Sequence, residues 1–137
     1  MKAERLRKIP LFQGLSDHEY ERLERWTDEI DVPANKHLVN QGAYPHEFMV
    51  IETGTAEVTH DGVHLADLGP GDFFGEMALL LSVPRTATVA ATSDVTLVVM
   101  HDRDFRAMEE AIPAIAKRVN AIMEERRAKS AEQGIET

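Results

Sequence analysis

The sequence predicts an α+β fold in which an antiparallel β-roll, or jelly roll, follows a helical segment and precedes two further helices. Apolar residues recur at helical spacing before residue 34, and short strand-like runs separated by turn residues fill residues 36–101. Helical spacing then returns after Met100. The 137 residues suffice for one domain with a sizeable core and are too few for two.

The composition limits the classes of function. The formal net charge is −9, with 24 acidic residues against 15 Lys plus Arg. This balance argues against a general nucleic-acid binder, which needs a basic face. The absence of cysteine excludes disulfides, thiolate metal sites and a cysteine nucleophile. We find no run of membrane-spanning length and no signal segment, and therefore expect a cytoplasmic protein.

The N-terminal segment, residues 1–34, is predicted to be helical. Ser16 and Glu19 have the spacing of a capping box, and the apolar stretch before them, IPLFQGL, is expected to form a short helical turn. Helical spacing continues behind the cap through three apolar residues, Leu23, Trp26 and Ile30. Pro33 is predicted to end this helix.

Residues 35–101 are predicted to form the β-roll. Six runs are rich in Val, Thr and aliphatic residues: HLVN, EFMVIE, TAEVTH, VHLADL, ATVAA and VTLVVM. Asp61-Gly62, between the third and fourth runs, predicts a tight hairpin because both residues tolerate positive φ. The regular spacing of so many short strands favours a small sandwich or jelly roll.

Two helices are predicted after the β-roll. Asp102 is expected to cap a segment that reaches about Ile112, and Pro113 separates it from a second helix over about Ala114–Lys129. The second helix has an apolar stripe that ends in a cation, formed by Ile115, Val119, Ile122 and Arg126. Residues 131–137 are expected to form a frayed tail.

The stretch GDFFGEMALLLSVPRTATV, residues 71–89, places a carboxylate and a guanidinium at the ends of an apolar-rich segment. A helix that begins near Gly75–Glu76 would direct unpaired backbone N–H groups at an anion. Arg85 adds a fork of donors suited to phosphate oxygens, whereas Glu76 accepts hydrogen bonds and would hold a hydroxyl. A cyclic ribose phosphate presents both groups on one rigid frame.

The same residues carry a family resemblance. The pattern FGE-x-AL followed by PRTATV closely resembles the phosphate-binding cassette of cyclic nucleotide-binding domains, and the resemblance covers roughly residues 8–128. The domain is most similar in appearance to that of prokaryotic cyclic nucleotide-gated channels. The resemblance implies an eight-stranded antiparallel β-roll with a cassette at residues 74–89 that contains a short helix, and a hinge and lid over residues 102–130.

The resemblance also implies roles for individual residues. It assigns Glu76 to the ribose 2′-hydroxyl and Arg85 to the cyclic phosphate. Backbone amides around Gly75, Met77, Ala78 and Ala87 would complete the cradle. Val58 and Leu65 would line the base, with Ala66 as the alternative to Leu65. Arg126, on the lid helix, would reach the purine.

The resemblance places the Thr86 hydroxyl beside the phosphate or the base, and the choice of base is expected to depend on this residue. A threonine directly after the cassette arginine resembles eukaryotic domains that accept cGMP, but bacterial-looking cassettes with Ser or Thr there are commonly associated with cAMP. We therefore expect a ligand-binding regulatory domain that prefers cAMP and binds cGMP more weakly. We expect no cofactor. The expected partners are the cyclic nucleotide and an effector protein or a larger parent chain.

A metal-binding protein of the cupin type is the main alternative, because a β-rich fold with six histidines also describes that class. His60 and His64 flank the hairpin turn, but no H-x-H pair occurs and Glu76 belongs to the cassette pattern. The sequence shows no nucleophile–base pair and no metal-ligand set, so we predict a binding module and no enzyme.

Overall fold

The computed structural model describes residues 2–43, 46–75 and 87–133, with side chains through residue 128. The N-terminal segment contains helix α1 (Ala3–Leu6), a 3-10 turn (Pro10–Phe12) and helix α2 (Asp17–Trp26). The predicted capping box of α2 is confirmed: the Glu19 amide donates to Ser16 Oγ at 3.2 Å, and the Ser16 amide donates to Glu19 Oε1 at 2.9 Å.

The predicted extension of α2 to Pro33 is wrong. The helix ends at Trp26, where Thr27 adopts extended backbone angles and its hydroxyl donates to the Leu23 carbonyl at 2.7 Å. Asp28–Val32 then forms strand β1, which pairs with the last strand along its whole length. Ile30 therefore lies on a sheet edge, 42% exposed, and the β-roll begins before residue 35.

The described residues form eight strands in two antiparallel four-stranded sheets. After β1 come β2 (His37–Val39), β3 (Glu47–Thr53), β4 (Ala56–His60), β5 (Val63–Leu68), β6 (Phe73–Phe74), β7 (Thr88–Ala91) and β8 (Val95–His101). The strand orders are β1-β8-β3-β6 and β2-β7-β4-β5. The six predicted strands and the eight-stranded roll are confirmed, and β6 lies at the start of FFGEMALLL, which the sequence predicts to hold a strand end and a short helix. The sequence analysis did not identify β1 as a strand.

The predicted hairpin between β4 and β5 is confirmed. Asp61 and Gly62 have φ angles of 51° and 78°, and His60 lies opposite Val63. One residue further into the hairpin the register shifts: Thr59 pairs with His64, but Val58 pairs with Ala66. Leu65 is thus the extra residue of a β-bulge, which changes the face to which the following side chains point.

Two helices follow the roll, α3 (Asp102–Ala111) and α4 (Pro113–Gln133). Asp102 is the first helical residue and His101 is the N-cap, so the predicted cap is displaced by one position. Helix α4 continues through 131–133, which the sequence analysis assigned to a frayed tail. Within the described part of the chain, no helix combines the length and the apolar character needed to cross a membrane.

Alternating side chains divide the core into two apolar clusters. The roll cluster lies between the sheets and contains Met49, Ile51 and Phe74 among others. The helix cluster lies between the β1-β8-β3-β6 sheet and the helices, and contains Phe48 and Phe73. Because both faces of this sheet are covered, Phe48–Ile51 is buried continuously, as expected for a strand with two apolar faces.

The turn between β3 and β4 offers a matched test of backbone geometry. Gly54 and Gly62 have φ angles of 93° and 78°, but a Cβ on Gly54 would lie 2.3 Å from the Asp94 carbonyl oxygen, whereas one on Gly62 meets nothing within 4 Å. Gly62→Ala should lower the free energy of unfolding by about 1 kcal/mol and Gly54→Ala by more than about 3 kcal/mol. Urea unfolding measures both, and equal losses would contradict the close approach.

Glu109 on α3 provides a pH-dependent prediction. Burial raises the pKa of its carboxyl, because desolvation disfavours the charged form. The folded state is therefore penalised as pH rises and this carboxyl ionises. Glu109→Gln should raise the melting temperature at pH 7–8, and the gain should vanish near about pH 4, where the wild-type carboxyl is also neutral.

Glu110→Gln is the matched control, since Glu110 is the exposed neighbour on the same helix. Thermal unfolding of both variants between about pH 4 and 8 makes the comparison. A gain for Glu109→Gln that did not depend on pH would be inconsistent with a desolvated carboxyl.

Candidate functional site

Five of the predicted cassette residues lie outside the described residues: Glu76, Met77, Ala78, Arg85 and Thr86. Their assigned roles therefore remain predictions. The structure describes the two residues that flank this segment, Gly75 and Ala87, together with the strands from which the chain enters and leaves it. The described part of the candidate site consists of those two flanking residues, the β4–β5 hairpin and helix α4.

The chain enters the cassette from strand β6. Phe73 and Phe74 pair with Val50 and Met49 of β3, and both side chains are buried on opposite faces of the sheet. Gly75 follows at a φ angle of 96°, a conformation that favours glycine because a Cβ would clash with the backbone. The pattern FFG thus anchors the cassette by two rings and then turns the chain sharply.

The chain leaves the cassette at Ala87, which is 9% exposed, and continues into β7. The first residue of that strand, Thr88, accepts a hydrogen bond at its hydroxyl from the Gln41 backbone N–H, at 2.9 Å. The buried alanine leaves little room for a larger side chain at this position. The exit from the cassette is therefore fixed by packing and by a contact to the loop after β2.

Gln41 also ties this loop to the tip of the β4–β5 hairpin. Its side-chain amide donates to Asp61 Oδ1 at 2.7 Å, and its carbonyl oxygen accepts from the Asp61 backbone N–H at 2.9 Å. The sequence analysis missed this residue, because the segment QGAYP indicated only a turn. No local pattern signals a contact across 20 residues of sequence, so only the structure identifies Gln41 as the link between the cassette exit and the hairpin.

The hairpin places the predicted base-lining residues on one wall of the roll. Val58 packs against the roll cluster and pairs with Val89 of β7 on one side and with Ala66 of β5 on the other. The register thus makes Ala66, the alternative in the sequence analysis, the direct partner of Val58, while Leu65 occupies the bulge. Directly paired residues share a face. Ala66 nevertheless remains exposed.

The outer face of the hairpin bears on the metal-binding alternative. Among the described residues, Glu57, His64 and Asp67 bring one potential ligand atom each to within 4.8 Å of one another. The two ring nitrogens of His64 already lie 2.9 Å from a carboxylate oxygen of Glu57 and 3.7 Å from one of Asp67. His60 instead pairs with Asp61 at 3.2 Å. The group faces away from the roll interior, unlike the enclosed metal site of the cupin alternative.

Helix α4 brings Arg126 to strand β6, which leads into the cassette. Its predicted apolar stripe is confirmed, with Ile115 and Val119 fully buried and Ile122 packed on the helix cluster. Arg126 continues this stripe: its Nη2 donates to the Phe73 carbonyl oxygen, and the guanidinium carbon lies 4.9 Å from the centroid of the Phe73 ring. The predicted contact of Arg126 with a purine remains untested. In this conformation Arg126 lies against Phe73 on the helix side of the sheet, whereas Val58 faces the roll interior.

Comparison with known proteins identifies the family. The model of the cyclic nucleotide-binding domain matches residues 29–111, more than half of the chain. The chain belongs to the cyclic nucleotide-binding domain family. The match runs from β1 to the end of α3, includes the whole cassette, and stops before α4.

Individual relatives differ in their overall organisation. The chain is 34% identical over 120 residues to a cyclic nucleotide-gated potassium channel of Rhizobium etli, a match that covers 87% of this chain and 33% of the channel. It is 30% identical over 115 residues to a cAMP-dependent protein kinase regulatory subunit of Emericella nidulans, covering 82% of this chain and 28% of the subunit. The chain thus spans about a third of the length of these relatives.

A solved structure supports the fold assignment. The catabolite activator protein of Thermus thermophilus superposes with a TM-score of 0.78 at 29% identity, over 90% of this chain and 61% of the other. In this cyclic nucleotide-binding domain the described strands therefore have the arrangement of the family's β-roll. The resemblance expected from the cassette pattern is confirmed at the level of family and fold.

The Gln41 contacts generate a prediction. Gln41→Ala removes both side-chain hydrogen bonds to Asp61 but keeps the backbone donor to Thr88. The variant should lose about 1 kcal/mol of stability and show faster amide exchange at the hairpin tip, because the lost bonds restrain that turn. Gln13→Ala, at an exposed position beyond the 3-10 turn, is the matched control. Unchanged exchange at Asp61 and Gly62 would show that Gln41 does not restrain the hairpin.

Proposed function

We propose that this domain binds a cyclic nucleotide, cAMP in preference to cGMP, as a regulatory sensor without catalytic activity of its own. The single observation that carries the proposal is the family match over residues 29–111, because that segment contains the entire cassette pattern, including Glu76 and Arg85. The relatives that share this domain include a nucleotide-gated channel and a cAMP-dependent kinase regulatory subunit.

The chemistry of the cassette supports the same ligand. Arg85 supplies a planar fork of donors to the two free oxygens of a cyclic phosphate, and Glu76 accepts the ribose 2′-hydroxyl. Backbone amides around Gly75 and Ala87 would add donors to the phosphate, and the positive φ of Gly75 brings the chain into a sharp turn at that point. A phosphodiester is held in such a cradle, and the pattern offers no group placed to attack it.

The base would lie against the β4–β5 hairpin. Val58 offers an apolar surface on the roll side, and the exposure of its partner Ala66 leaves space beside it. Thr86 is the residue on which base selectivity depends, because its hydroxyl can meet the guanine amino group. A cGMP-preferring sensor is therefore the second candidate, and a threonine directly after Arg85 is the observation that favours it.

The regulatory output follows from a shift between two conformations. A ligand biases such an equilibrium only by its differential contacts with the two states. We propose that the bound phosphate draws the cassette inward and that α4 closes over the base, with α3 as the hinge. The receiving element would be an effector protein or further segments of a longer chain, in a cytoplasmic setting.

Calorimetric titration with cAMP and cGMP tests the proposal. Arg85→Ala removes a charge-assisted, bidentate phosphate contact and should weaken cAMP binding by about 2–4 kcal/mol, or roughly thirty- to a thousand-fold. Glu76→Ala should weaken binding through loss of the ribose contact. Two exposed residues of α2 supply the matched controls, Arg25→Ala and Glu21→Ala, and both should bind as the wild type does.

The outcomes separate the candidates. If neither nucleotide binds at about 100 μM, the sensor function is refuted. Tighter binding of cGMP than of cAMP, lost on Thr86→Ala, would overturn the choice of ligand and establish the second candidate. A loss of binding in Arg25→Ala equal to that in Arg85→Ala would show that the effect is one of general charge.

A further inference from the structure

Arg126 makes two different contacts with a single residue, Phe73. The guanidinium donates to the Phe73 carbonyl oxygen and stacks over the ring of the same residue, 4.9 Å from its centroid. The arginine is half-buried, so the cation–π contact is partly shielded from water and stronger than at an exposed site. Two contacts to one residue fix the guanidinium in position as well as in orientation.

The partner strand is suited to transmit movement. Strand β6 contains two residues and lies at the end of its sheet, so among the described strands it pairs with β3 alone. The Phe73 carbonyl oxygen accepts a hydrogen bond from Arg126. Gly75 follows directly and leads into the cassette. Phe73 is therefore three positions before Glu76, the first cassette position outside the described residues.

Helix α4 makes a second contact of the same chemistry at a different place. Arg118 Nη1 donates to the Leu11 carbonyl oxygen at 2.8 Å, in the 3-10 turn of the N-terminal segment. The first half of α4 is therefore held by Arg118 and by buried Ile115 and Val119. Beyond Ile122, Arg126 attaches the second half of the helix to Phe73 in β6. The two halves of the helix therefore contact different parts of the fold, the N-terminal 3-10 turn and strand β6.

We propose that Phe73 is a positioning residue for Arg126, and that this contact couples the strand entering the cassette directly to the C-terminal half of α4. The inference rests on the proposed function, since it concerns how ligand binding at the cassette reaches the helix. A displacement of β6 on ligand binding moves the ring and the carbonyl to which Arg126 is attached. The second half of α4 follows through one side chain, in addition to any movement through the α3 hinge.

Hydrogen exchange of α4, with and without saturating cAMP, tests this coupling. In the wild type, cAMP should change the exchange of residues 120–128. In Arg126→Gln the ligand-free exchange there should rise about fivefold, as expected for loss of a cation–π contact worth roughly one kcal/mol, and the response to cAMP should fall to the part that the α3 hinge transmits. Phe73→Leu keeps an apolar side chain but removes the ring, and should reduce the response in the same region.

A double variant distinguishes positioning from independent packing. If Phe73 acts through Arg126, Phe73→Leu/Arg126→Gln should show the same exchange as Arg126→Gln alone. Phe73→Tyr, which keeps the ring, should restore the response. Should Phe73→Leu fail to fold, Arg126→Lys decides instead: the ammonium is a point donor without the planar fork, and the response should be weakened.

Two variants serve as matched controls. Arg118→Gln loses a guanidinium–carbonyl contact of the same kind on the same helix, but its partner is Leu11, so the cAMP response of residues 120–128 should remain. Phe48→Leu removes a ring of the same helix cluster that packs against Phe73 and Phe105; it should lower overall stability and weaken the response less than Phe73→Leu does.

The outcomes that overturn the inference differ from those that overturn the proposed function. Additive effects of Phe73→Leu and Arg126→Gln, or loss of the response in Arg118→Gln, refute the coupling while nucleotide binding stands. Tighter cAMP binding in Phe73→Leu would show that the contact opposes ligand binding, which also refutes it. Absence of calorimetric binding in the wild type refutes the proposed function. Independently of binding, unchanged ligand-free exchange in Arg126→Gln would show that the contact between Arg126 and Phe73 does not stabilise the second half of α4.

Discussion

The buried ring of Phe48 makes the contacts that hold the sheet, helix α3 and the strand entering the cassette together. Its ring is fully buried and lies 4.5 Å from the ring of Phe105 and 5.5 Å from that of Phe73. These three residues belong to α3, to β3 and to the strand entering the cassette. One aromatic side chain thus joins α3, the centre of the sheet and the strand that enters the cassette. A movement of any one of these elements must be accommodated by the other two, because a close-packed interior leaves no free volume.

The alternation of side chains along β6 divides two tasks between neighbouring residues. Phe74 fills the roll, on the side where Val58 lines the candidate pocket, whereas Phe73 faces the helices and holds Arg126. A strand of two residues suffices, because opposite faces belong to successive positions. The roll cluster and the helix cluster are therefore separated at β6 by the thickness of one sheet. A shift of this short strand would move a side chain in each of the two apolar clusters.

The strands that the sequence predicted are those whose pattern is local. Runs such as EFMVIE and VTLVVM are rich in β-branched and aliphatic residues, and the Asp61-Gly62 turn is specified by two adjacent residues with positive φ. The sequence did not predict strand β1, DEIDV, because Ile30 continues the helical spacing of α2. The strand is recognised only through its pairing with β8. Strand β6 could be predicted only as a strand end, because two residues are too few to show a period. Both depend on partners distant in sequence.

The candidate site shows the same division between local and distant information. The cassette pattern, with Glu76 and Arg85, could be identified from adjacent residues, and so could the stripe that points Arg126 toward the core. Neither the link from Gln41 to the hairpin tip nor the partner of Arg126 could be predicted, since each joins segments brought together only by the fold. For Arg126 the difference changes the mechanism. The helical period predicts a cation at the end of an apolar face, which suggests a ligand contact. Its attachment to Phe73 makes the same cation a link between the helix and the cassette, so the domain can couple the two even where no purine contact forms.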